Sequence, residues 1–156
     1  MGRKRPRRPG QDEFASYLVQ ITSWDWSYSF GLSVGRYERG PYSDHRHLKI
    51  EGTLLRPRSV KAEIVELTFM PDIRDSEVGR TNDKPVAVGS LDLHDGRLIG
   101  LISMPTDALQ PVMQMLIAGR SKYVALHGYR LRYRKSLVRS YRLETGYEED
   151  NWSEDE

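Results

Sequence analysis

Cysteine is missing from this sequence. Its absence excludes disulfides, thiolate metal sites, iron–sulfur clusters and cysteine nucleophiles, and it suits a reducing compartment. Apolar runs are short: none approaches the roughly 18–20 residues that a helix needs to cross a bilayer. The N-terminus is charged with no apolar stretch behind it, so it does not read as a secretory leader. The expectation is a cytoplasmic protein with no membrane span. Phosphate cradles are lacking too. No Walker or dinucleotide-binding spacing occurs, and Gly31, Gly35 and Gly40 are too scattered to hold a phosphate. There is no nucleophile elbow, and nothing along the chain sets a serine, a histidine and an aspartate together. No segment repeats.

What is present fits one domain. A chain of 156 residues can bury about two-thirds of its unfolded surface, enough for a core without staples. The net charge of +2 conceals an uneven layout. Arg3, Lys4, Arg5, Arg7 and Arg8 crowd the start; Glu148, Glu149, Asp150, Glu154, Asp155 and Glu156 crowd the end. Residues 1–12 read as a disordered basic arm and 146–156 as a disordered acidic tail, since neither buries enough to offset the entropy of ordering. Residues 13–145 read as a single β-rich domain.

Within it, alternation with period two dominates. Tyr17, Val19 and Ile21 alternate along 14–22. Trp26, Tyr28, Phe30, Leu32 and Val34 then occupy every even position, with serine or glycine between them. That pattern predicts a strand with its even face on the core. Leu48, Ile50 and Leu54 share a face over 47–55, with Gly52 in line. Residues 61–69 are rich in β-formers, and 71–85 read as a polar loop. Asp95-Gly96 between apolar runs marks a tight hairpin. Residues 123–133 and 137–143 return to strands. Leu109, Val112, Met113, Leu116 and Ile117 follow helical spacing, with Gly119 at the stop. Asp107 as cap, or Pro111 at the first helical position, are both compatible starts. The fold class is therefore mainly β: an antiparallel sandwich or barrel of seven to eight strands, with one short amphipathic helix near residues 107–118.

His45-x-His47-x-x-x-Glu51 resembles the first half of a cupin metal motif. The resemblance implies ligands projecting into a β-barrel around a divalent metal. The flanking glycines are out of register and no second motif follows. Alternation also puts 45, 47, 49 and 51 opposite the apolar Leu48, Ile50 and Leu54, which turns the ligands toward solvent. His94 reads as a turn residue and His127 as a satisfied, half-buried core histidine. Asp12-Glu13 and Trp24-Asp25-Trp26 offer carboxylates, but glycosidase chemistry needs a defined separation that sequence does not fix. Trp24 and Trp26 read as core and rim packing.

Two basic features remain. Arg130, Arg132 and Arg134 alternate with Tyr129, Leu131 and Tyr133, which on a strand makes a positive ridge. Arg36, Tyr37, Arg39 and Tyr42 interleave cations with aromatics, a pattern that can track a phosphate backbone and stack bases. Arginines on an exposed strand face also simply keep a sheet soluble. The leading reading is a non-enzymatic binding or assembly module acting on a protein partner, with no catalytic residue, cofactor or metal. The second is a nucleic-acid binder using these residues and the basic arm. The third is a cupin-like metal enzyme.

Overall fold

The computed structural model describes residues 14–33, 40–73, 86–149 and 152. Seven strands close into one barrel: β1 (Phe14–Leu32), β2 (Tyr42–Arg56), β3 (Ile64–Ile73), β4 (Gly89–His94), β5 (Arg97–Pro105), β6 (Tyr123–Tyr129) and β7 (Lys135–Glu144). Their order around the barrel is β1-β2-β3-β5-β4-β7-β6, with β6 pairing back onto β1. One adjacency departs from the antiparallel expectation: β3 and β5 run parallel. The β4–β5 hairpin causes this, because it inserts its second strand between β3 and β4. The turn of that hairpin is the expected one. Asp95 and Gly96 both have positive φ, 50° and 73°, the conformation a two-residue hairpin loop needs.

The interior is filled by alternating side chains, among them Tyr17, Val19, Leu48, Ile50, Val65, Leu67, Phe69, Leu98, Ile102, Val124 and Leu126. Two phenols, the buried Tyr17 and the half-buried Tyr141, reach backbone carbonyls: Tyr17 donates to Tyr129 at 2.8 Å and Tyr141 to Ser103 at 3.1 Å. Burial pushes the pKa of both upward, and the nearby Asp72 carboxylate adds to this at Tyr141.

A helix, α1 (Leu109–Ile117), follows β5 after a 3-10 turn at Thr106–Ala108. Leu109 and Leu116 are buried, and Val112 and Met113 pack on the core. Ile117 was expected to complete that stripe but is 70% exposed, because the helix stops there. Gly119 N–H bonds the Leu116 carbonyl and Arg120 N–H bonds that of Met115, closing the last turn away from the core.

The feature that matters most for function lies in β1. The two alternating stretches of 14–22 and 26–34 form, as far as Leu32, one 19-residue strand. Ile21 faces Gly52, yet Ser23 faces Glu51, so Thr22 is an extra residue, a β-bulge. The bulge moves the inward face from odd positions (15, 17, 19, 21) to even ones (24, 26 and beyond). Opposite it, a Cβ on Gly52 would collide with the Gln20 carbonyl and the Val19 side chain. Only glycine lets the two strands approach so closely there.

Candidate functional site

β2 pairs with β3 only over 48–52, and β1 pairs with β6 only over 14–20. Beyond the Trp26–Leu48 pair the two strands continue alone. Six further pairs, from Ser27–His47 to Leu32–Tyr42, form a two-stranded ribbon, which projects about 20 Å at ~3.4 Å per residue. It leaves the barrel at the end closed by α1, since β5 runs into the helix beside the C-terminal end of β3.

The even face of the ribbon continues the barrel interior outward. Trp24 still packs on the core. Trp26, Tyr28, Phe30, Leu32 and the cross-strand Tyr42 do not: they are 44–72% exposed. The expectation that the even positions of this strand are core thus fails from Trp26 onward. Their alternation is real, but no second layer covers them among the described residues. The row is ordered all the same. Phe30 stacks on Tyr42 with ring centres 5.7 Å apart, Trp26 and Tyr28 lie 6.3 Å apart, and the Arg46 guanidinium sits 5.9 Å from the Tyr28 ring centre. Arg46 also pairs with Asp44 at 3.0 Å.

The odd face carries Ser23, Asp25, Ser27 and Ser29 opposite Glu51, Lys49, His47 and His45. The cupin-like residues therefore lie on the outer, polar surface as alternation requires, not inside the barrel. Glu51 is engaged by Lys49 at 3.5 Å and accepts from Ser23. Among the described residues no three His, Asp or Glu side chains converge as metal ligands do.

Among the described residues, Tyr42 and the three arginines of the expected ridge are not brought together. Arg36, Tyr37 and Arg39 lie outside the described residues, and Tyr42 belongs to the ribbon. Arg130, Arg132 and Arg134 sit at the other end of the barrel, where Tyr129 pairs with Phe14 at the start of β1. They do not form a strand ridge. β6 ends at Tyr129, and Tyr133 and Arg134 take φ of 52° and 65°, making a two-residue turn closed by Arg132 and Lys135. All three arginines are exposed on this hairpin tip.

A second site went unread in the sequence. His127 is half-buried but points outward from β6, where its Nδ1 and the Ser16 Oγ share a 2.8 Å hydrogen bond. The chain after β7 lies back over this face. Tyr147 packs edge-on against Tyr123, and Trp152 stacks on His127 with ring centres 6.5 Å apart. Glu149 approaches Arg56 at 3.9 Å. Leu18 and Ala125, the pair between these two contacts, are buried although they face outward. The described part of the expected disordered tail is thus seated on the barrel; the rest lies outside the described residues. Tyr147 and Trp152, the only large apolar residues in that acidic stretch, were the available signal. A groove of about 510 Å³ remains, lined by Ser16, His127, Arg142, Glu144, Tyr147 and Trp152. Its volume suits a small molecule. Yet the chain's own end already forms one wall, whereas nothing described covers the ribbon. No described helix is long and apolar enough to cross a membrane. Comparison with protein-family models, with curated proteins and with solved structures finds no match for this chain.

Proposed function

We propose that this chain is a non-enzymatic assembly module of the cytoplasm that acts on a protein partner, with the ribbon as its docking element. The observation that carries this reading is the uncovered row Trp26, Tyr28, Phe30, Leu32 and Tyr42. A lone two-stranded hairpin is marginal in water and gains stability when its apolar face is covered. Aromatic side chains concentrated on one surface are also what protein interfaces are enriched in. Within the ribbon Asp44 balances Arg46, so these paired residues offer no net positive charge to a phosphate backbone. The free edge of β1 over 23–32 has no lysine or proline, the usual guards against a neighbouring chain.

The test is W26S/Y28S/F30S, with the wild-type chain, in cross-linking from cells followed by reconstitution with the purified partner. The substituted chain keeps the far-ultraviolet circular dichroism of the barrel and loses the partner. A partner held equally by both chains defeats the reading.

The opposite end of the barrel supports a second reading, polyanion binding. Arg130, Arg132 and Arg134 are exposed on one hairpin tip, at the end of the barrel where Phe14 pairs with Tyr129, and the sequence ahead of Phe14 carries the basic residues 3–8. If that tip holds nucleic acid, R130A/R132A/R134A flattens the salt dependence of oligonucleotide anisotropy by about one log unit per lost phosphate contact. An unchanged slope removes the tip from any such function.

A further inference from the structure

We infer that the partner seated on the ribbon is a second copy of this chain: two ribbons stack with their aromatic faces together about a two-fold axis. This rests on the ribbon being the docking element and adds what covers it. Three features of that face select a copy of itself.

The first is area. Five side chains that are 44–72% exposed, each offering roughly 200 Å², present on the order of 600 Å² per copy. Two such faces bury about 1,200 Å² together, the lower bound of a stable, specific interface. The second is charge. On the even face the only ionised groups are Asp44 and Arg46, already paired at 3.0 Å. The face is neutral, so two copies do not repel. An acid and a base side by side can exchange partners across a two-fold axis, which is the self-complementarity an isologous contact demands. The third is shape. The bulge at Thr22 makes the exposed face a continuation of the barrel's inner surface. A second sheet laid on it at the usual spacing of ~10 Å gives this face the opposing wall that the closed barrel gives the rest of the inner surface. Stacked thus, each copy supplies the missing half of a small aromatic core outside the barrels.

Sedimentation velocity on the full chain from about 1 to 200 μM tests the assembly. The expected particle has twice the 18.1 kDa mass of the chain. F30S/Y42S weakens the dimer by at least about 30-fold, the effect of losing a central aromatic anchor, with the far-ultraviolet spectrum unchanged. The chain has no native cysteine, so single cysteines report the geometry. Tyr28→Cys, in the middle of the aromatic face, oxidises to a covalent dimer, while Ser29→Cys, on the opposite face, stays monomeric under the same conditions. A wild-type chain that is monomeric at 200 μM overturns the inference. So does a dimer indifferent to F30S/Y42S, or one cross-linked equally through position 29. The first result leaves the docking reading intact if a different protein is still lost with W26S/Y28S/F30S. If those substitutions disturb neither self-association nor any other contact, the docking reading fails as well.

Discussion

The two halves of β1 both carry apolar side chains at every second position, and they meet opposite fates. Over 15–21 the strand sets Ala15, Tyr17, Val19 and Ile21 on one face, pairs with β6 over 14–20 and with β2 from Leu18 onward, and buries Tyr17 and Val19 completely. Over 26–32 it alternates still more regularly, pairs only with β2, and leaves Tyr28, Phe30 and Leu32 to solvent. Alternation says which side chains share a face. It does not say whether anything lies on that face, because the cover comes from strands distant in sequence, here β6 and α1. The distal half thus behaves as half of a core awaiting its other layer.

Four substitutions sharpen or break this comparison. The largest effect belongs to a true core aromatic: Phe69→Ala costs about 3–5 kcal/mol and lowers the melting temperature by roughly 10 °C or more in a domain this size. If Phe69→Ala costs no more than a ribbon substitution, the division between barrel and ribbon is wrong. Next is Gly52→Ala, which places a methyl group against the Gln20 carbonyl beneath the bulge. Denaturant titration is expected to show a loss of about 1–3 kcal/mol, as for overpacked sites. A neutral result means that β1 and β2 do not approach as closely as described, and the switch of faces at Thr22 loses its support. A smaller loss, about 1 kcal/mol, is expected for Trp152→Ala, the scale of an aromatic pair. Iodide quenching of tryptophan before and after removal of residues 147–156 checks the same contact. Unchanged stability there restores a tail that is dispensable throughout. The smallest effect is that of Phe30→Ala in dilute, monomeric protein, within about ±0.5 kcal/mol. A cost near that of Phe69→Ala shows that some segment of the chain covers the ribbon.

Much of the fold was legible. The Asp95-Gly96 turn, the inward row Leu48, Ile50 and Gly52, the helix stripe through Leu116 and the strand count all followed from local chemistry. What was missed has identifiable causes. Tyr133 and Arg134 carry positive φ without glycine or asparagine, so the turn that breaks the arginine ridge had no residue to announce it. The bulge at Thr22 showed only as a change from odd to even apolar positions, which reads equally well as two strands. Ser16 and His127 are 111 residues apart, and no spacing rule joins them. Among candidate functional residues, the aromatic row was visible as a pattern but was assigned to the interior.

By itself, the sequence determined the faces: which side chains point together, where hairpins turn, and that cysteine chemistry is absent. These depend on neighbours one to four residues away, through backbone geometry. Tertiary structure alone decided what covers each face. It closed the barrel through the β1–β6 pairing, put β5 parallel to β3, seated Trp152 on His127, and ended the barrel at Trp26 with the aromatic row still running. Burial is a property of residues far apart in the chain, and the free energy of covering an apolar face belongs to both surfaces at once.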